Sequence, residues 1–245
     1  MCTLIVATRC APDVPLFVVA NRDESFGRLA APPTLRISGS MRVLAPRDEQ
    51  AGGTWLGLNE AGLFVAITNR FEVERRDHHR SRGELVWNAL AREGVEGAVA
   101  YARALSPRDY GGFHLMMADA QGAAVVWSDG ERLQHRRWAP GYYVISERSF
   151  GASPSMRLER LEARLHPLQA LDAEVRDELV RWMAERDDEH PFEGTCVHLP
   201  EFDYGTRSST VVALGEQARF EYCEGAPCDG EYRSYEALLR ELRLA

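Results

Sequence analysis

Lysine is absent from the chain, and all 29 basic residues are arginine. No side-chain amine is therefore available for a Schiff base, for anchoring pyridoxal phosphate, or for a Walker-type phosphate loop. Long hydrophobic runs are missing too. Nothing approaches the ~18–20 consecutive apolar residues of a membrane helix, so no transmembrane segment is expected. Residues 1–9 lack a basic leader, and Arg9 breaks the first apolar run early, which argues against a secretory signal. Positive charge is not in excess: 37 acidic residues against 29 basic ones give a formal charge of −8. That balance speaks against a nucleic-acid partner, because neutralising phosphates needs a basic face. Cysteine is scarce and scattered (Cys2, Cys10, Cys196, Cys223, Cys228), odd in number and without a CxxC pair. Such a set makes a poor disulfide framework and a poor zinc site, so the expectation is a reduced, cytoplasmic chain. HExxH, GxSxG and dinucleotide fingerprints are all lacking.

What is present is an ordinary globular composition, 45% apolar and 27% charged over 245 residues. Short apolar runs punctuated by Gly and Pro predict strands over residues 3–8, 16–20, 41–46, 54–58 and 63–68. The continuous run Leu16–Ala20 suits a strand covered on both faces, and Asn59-Glu60-Ala61-Gly62 reads as a hairpin turn. Helical spacing predicts a helix over 83–105, closed by Ser106-Pro107. Strands return at 113–119, 123–128 and 142–146, followed by helices over 155–165 and 173–186. Strands at 195–199, 209–214 and 219–223 precede a closing helix at 235–242. Strands, helices and strands again, with no linker between them, predict one α+β domain of packed layers over 1–245.

Chemistry concentrates in a few places. Cys2 follows Met1 and is small enough for aminopeptidase removal of that methionine, which would leave a residue carrying both a nucleophile and a base. The thiol, with a reference pKa near ~8.5, could pass its proton to an α-amine titrating near ~7.7–8.0. Position alone also allows a small residue opening an edge strand. Asn21-Arg22-Asp23-Glu24 ends a buried strand, where period two puts Asn21 and Asp23 on one face and Arg22 and Glu24 on the other. A carboxylate there would hold a terminal amine in its charged form, although a polar turn is the plainer reading. Asn69, at the end of Ile67-Thr68-Asn69-Arg70, is either an oxyanion donor or a loop cap. Arg207 in Tyr204-Gly205-Thr206-Arg207-Ser208-Ser209-Thr210 is suited to clamping a carboxylate. His78-His79 sits in a charged loop and reads as solvated surface, though exposed imidazoles also bind metals or haem iron. Cys196 and His198 alternate on one strand face and read as core or site lining.

Taken together, Met1-Cys2, residues 21–24, Gly-Thr-Trp-Leu-Gly at 53–57, residues 67–70, Arg82-Gly83, Cys196-Val197-His198 and residues 204–210 resemble the NRDE proteins, also called the transport and Golgi organisation family. That family is similar to cysteine N-terminal nucleophile (Ntn) hydrolases such as choloylglycine hydrolases and penicillin V acylases. The resemblance implies a four-layer αββα sandwich of antiparallel sheets with Cys2 at the end of the first central strand. It makes Cys2 the nucleophile, Asp23 the carboxylate orienting its amine, Arg22 the arginine near the thiol, Asn69 an oxyanion donor and Arg207 the late active-site arginine. One position departs from the pattern: Glu147 follows Tyr142–Ser146 where a second amide donor is expected, and a carboxylate there repels an oxyanion. Two functions follow. One is a hydrolase or acyltransferase acting on a linear amide C–N bond, with no cofactor. The other is a non-catalytic carrier of haem or of an acyl-CoA or lipid-like ligand.

Overall fold

The computed structural model describes residues 2–71, 73 and 79–244. In chain order the strands and helices begin with β1 (Cys2–Thr8), β2 (Leu16–Ser25), β3 (Ala30–Ser38), β4 (Met41–Asp48), β5 (Leu56–Asn59) and β6 (Phe64–Asn69). Then come α1 (Arg82–Ala89), α2 (Gly94–Arg103), β7 (Phe113–Asp119), β8 (Gly122–Ser128), β9 (Leu133–Trp138) and β10 (Gly141–Ile145). The last third holds α3 (Met156–Leu165), α4 (Ala173–Trp182), β11 (His198–Leu199), β12 (Tyr204–Leu214), β13 (Arg219–Glu224), β14 (Tyr232–Ser234) and α5 (Glu236–Leu242).

Among the described residues these strands form two seven-stranded antiparallel sheets. One runs β10-β1-β2-β12-β13-β14 with β11 added to β12; the other runs β3-β4-β5-β6-β7-β8-β9. Alternation along β1 and β2 shows how they stack. Leu4, Val6, Leu16, Val18 and Ala20 join the core shared with the second sheet, whereas Ile5, Ala7, Phe17 and Val19 pack with Leu161, Leu165, Leu179 and Trp182 of α3 and α4. The apolar run Leu16–Ala20 is thus covered on both faces, as its lack of alternation requires. Helices α1 and α2 cover the outer face of the second sheet. The result is the four-layer αββα sandwich. No helix among the described residues is long and apolar enough to cross a membrane.

Several sequence expectations change. The helical stretch 83–105 is two helices: α1 stops at Ala89, Gly94 turns the chain with φ of 61°, and Asn59 Nδ2 donates to the carbonyls of Leu90 and Arg92 at 2.9 and 2.8 Å. A side chain from the other layer therefore satisfies the exposed helix end that periodicity alone would have continued through. The hairpin at 59–62 forms as expected, with Gly62 at φ 78° and its N–H on the Asn59 carbonyl. Cysteine scarcity misled: Cys196 and Cys228 form a disulfide that spans 32 residues and joins the segment before β11 to the turn after β13, leaving Cys2, Cys10 and Cys223 free. Their sequence spacing carries no trace of this proximity. His198, expected in core or site lining, is exposed, with its ring 5.9 Å from that of Phe26.

Candidate active site

Cys2 opens β1 at the end of the sandwich, in register with Arg22 on β2. Directly paired residues share a sheet face, so the thiol points with Arg22 toward the second sheet. It lines a cleft of about 90 Å³ together with Arg22, Asp23, Trp55, Asn69 and Arg82. Gly53 and Gly83 build one wall by close backbone approach. A Cβ on Gly53 would lie 2.7 Å from the Gly83 carbonyl carbon, which explains why both glycines stand where they do.

The polar block divides by face as period two requires. Asn21 turns to the helical layer and donates to the carbonyls of Met183 and Thr195, both at 2.8 Å. Its role is to fasten the end of α4. Arg22 turns inward, 4% exposed, with its guanidinium 4.3 Å from the Trp55 ring centroid and Nη2 3.5 Å from Asp48 Oδ2. Its Nη1 is buried with no hydrogen-bond partner among the described residues. A buried, unmatched donor of this kind beside a thiol is poised for an oxygen that arrives with a ligand.

Asp23 faces the helical layer. Thr206 Oγ1 donates to its Oδ1 at 2.7 Å, and Arg157 Nη1 lies 3.6 Å from Oδ2. Burial pushes its carboxyl up, against the pull of the Arg157 charge and the Thr206 hydroxyl. Burial also pushes the Cys2 thiol up, opposed by nearby positive charge and by the Asp23 backbone N–H. A thiol held above its ordinary value stays protonated at neutral pH and needs a base.

Arg157 is the residue sequence reasoning missed. It is 1% exposed and reaches from α3 through the sheet edge, donating to Thr3 Oγ1 at 2.9 Å and pairing with Glu147 Oε1 at 3.2 Å as well as with Asp23. A signal was present: Arg157 stands four residues before Leu161 and eight before Leu165, on the apolar stripe of its helix. Glu147, which departs from the family pattern, is 2% exposed and turned into this Arg157 pair, outside the lining of the Cys2 cleft.

Asn69 ends β6 at the cleft, half-buried, and its carboxamide has no hydrogen-bond partner among the described residues. Behind it, Arg70 Nη1 donates to His114 Nε2 at 3.2 Å and to the carbonyls of Ser149 and Phe150, so His114 directs Nδ1–H at Thr68 Oγ1, 2.9 Å away. This network ties the strand end that carries Asn69 to the loop that carries Glu147. Burial first, and Arg70 second, pull the His114 pKa down to about 3. An unfolded histidine titrates near ~6.5, so as pH falls below that value the unfolded chain takes up a proton that the native chain refuses, and stability is lost down to about pH 3. Between pH 7.5 and 5 this amounts to about 2 kcal/mol. Urea unfolding should show that loss in the native sequence and not in His114→Gln; equal pH slopes would refute it.

Arg207 lies elsewhere. It is the extra residue at the bulge between Thr206, opposite Asp23, and Ser208, opposite Arg22. Its guanidinium sits 5.6 Å from the Phe26 ring and it does not line the Cys2 cleft. Cys2, Arg22, Asp23 and Asn69 are brought together; Arg207 is adjacent in backbone but directed at Phe26. His78 lies outside the described residues, and His79 is half-buried. Among the described residues no group of three or more His, Cys, Asp or Glu is arranged to hold a metal.

Residues 1–226 match the family described as Transport and Golgi organisation 2. The chain belongs to that family. Relatives include the Transport and Golgi organization protein 2 homologs of Bos taurus and Homo sapiens, 28% and 26% identical, in each case over 94% of this chain and 92% of the relative. Among solved structures the fold is similar to penicillin V acylase from Agrobacterium tumefaciens (TM-score 0.51, 18% identity, 91% of this chain and 82% of that one). It is also similar to the Caenorhabditis elegans ortholog of N-acylethanolamine-hydrolyzing acid amidase (TM-score 0.57, 13% identity, 86% and 92%). The likeness shows that this chain shares the fold of these two enzymes.

Proposed function

We propose that this chain is an Ntn-type hydrolase or acyltransferase acting on a linear amide C–N bond, with Cys2 as nucleophile once Met1 has been removed. One observation carries the reading: Cys2, Arg22, Asp23 and Asn69 line a single cleft in which Arg22 Nη1 has no hydrogen-bond partner among the described residues. The likeness in fold to an acylase and an amidase is in keeping with it.

The chemistry follows from the geometry. The freed α-amine of Cys2 takes the thiol proton, because burial keeps the thiol from ionising unaided. Sulfur attacks the amide carbonyl, and Asn69 with Arg22 Nη1 donate to the oxyanion. The protonated amine gives its proton to the leaving nitrogen, forming a thioester. Water, activated by the same amine, or an acceptor nucleophile then releases the acyl group. Asp23, held by Thr206 and Arg157, orients the amine. Glu147 is turned toward Arg157 and lies outside the lining of the Cys2 cleft, which keeps its carboxylate away from the oxyanion.

Intact-mass measurement with N-terminal sequencing tests the first step. The expected result is loss of one methionine residue, and single-site labelling at Cys2 by a thiol-directed acyl analogue. Protein that retains Met1 in nearly all molecules rules the mechanism out.

A further inference from the structure

A second, roomier cleft does not touch Cys2. It has about 870 Å³ of space and lies where the edge strands of the two sheets, β9 and β10, open beside α3; it shares no lining residue with the Cys2 cleft. Its size falls within the range of small-molecule sites. Gln134, Arg136 and Trp138 alternate along β9 onto this side, while Arg137, on the opposite face, pairs with Glu96.

The walls are aromatic. Trp138 stacks on Tyr143 with centroids 4.2 Å apart and planes 4° from parallel, and Trp127 stacks on Phe150 at 4.4 Å and 16°. Leu158 and Leu165 of α3 close the far side. Trp127 and Trp138 are themselves buried, so it is the half-buried Tyr143 and Phe150, backed by these tryptophans, that border the open space. At the rim Arg136 is exposed, 5.8 Å from the Phe150 centroid, and makes no ion pair among the described residues. Glu162 stands on the α3 rim, so the two sides of the mouth carry opposite charge.

We propose that this cleft binds a planar aromatic carboxylic acid, its ring system against the Trp127–Phe150 and Trp138–Tyr143 stacks and its carboxylate on Arg136. Flat, paired aromatic surfaces match a rigid ring system through offset stacking and area burial. The unpaired guanidinium offers a fork for a carboxylate. Glu162 repels the acid group from the opposite rim and sets one orientation. The proposal does not depend on Cys2 chemistry.

The probe is 1-pyrenecarboxylate, followed by energy transfer from tryptophan and by calorimetry, with 1-pyrenemethanol as its uncharged counterpart. Saturable binding of the acid is expected in the native sequence and, unchanged, in Cys2→Ala. Arg136→Gln should weaken the acid about tenfold and leave the alcohol unaltered. Leu158→Trp, which fills the cleft, should abolish both, with circular dichroism confirming the fold. Absence of saturable binding overturns the proposal. So does binding that survives Leu158→Trp, or that is lost in Cys2→Ala and indifferent to Arg136. Better binding of dodecanoate than of the pyrene acid would overturn the planar class.

Discussion

Replacing Arg157 with methionine is expected to lower the unfolding free energy by about 3–5 kcal/mol at pH 8, the cost of leaving buried charge without its partner. The guanidinium is 1% exposed and faces Asp23 and Glu147 together, so its removal takes a buried counter-charge from both carboxyl groups and leaves Glu147 with Arg148 at 3.7 Å. Methionine keeps most of the volume, which separates charge from cavity. The pH dependence has a definite sign. Burial already pushes the Asp23 carboxyl up, and Arg157 opposes that push. Without Arg157 the native chain holds a proton that the unfolded chain releases above about pH 4, so the loss of stability grows as pH rises. Urea unfolding at pH 5 and pH 8 should therefore show the variant closer to the native sequence at pH 5. Arg157→Lys keeps the charge but not the fork and should fall between the two. A change below about 1 kcal/mol at pH 8, or a larger loss at pH 5, would remove Arg157 from this role.

The same residue shows where sequence reading succeeds and where it stops. Strands covered on both faces announce themselves: β1, β7 and β8 lie where apolar runs put them, and β2 starts where expected but continues through the polar block to Ser25. The strands that were missed are β3, β9 and β14, each at the edge of a sheet. Edge strands are polar or proline-bearing because their outer side faces water. β3 carries Pro32-Pro33 at the irregularity between Ala31 and Thr34, and β9 is mostly exposed. Apolar periodicity cannot detect either. Cys2 and Asn69 were legible because they stand at strand ends, and Arg22 and Asp23 because polar residues there interrupt the apolar run of β2. Arg157 and the Cys196–Cys228 bridge were not, because their partners are 134 residues (Arg157–Asp23) and 32 residues away in sequence and only the fold unites them.

Turnover offers the largest effect of all. With a panel of acyl p-nitroanilides, Cys2→Ala is expected to reduce kcat/KM at least about 10⁴-fold, because no other group in the cleft can form the thioester. Asn69→Ala should lower kcat about 10²–10³-fold with little change in KM, the signature of a donor that acts on the oxyanion and not on the ground-state carbonyl. The reason lies in the site: Asn69 is half-buried at the cleft, and no side-chain hydrogen bond holds it among the described residues, so its removal costs little stability and its effect is read in rate. Combining the two substitutions should give no further loss beyond Cys2→Ala, since a donor to an oxyanion that never forms has nothing to stabilise. If Asn69→Ala instead raises KM with kcat intact, Asn69 binds substrate and Arg22 alone faces the oxyanion. If Cys2→Ala retains turnover, the nucleophile is not Cys2, and the cleft binds a ligand without cleaving it.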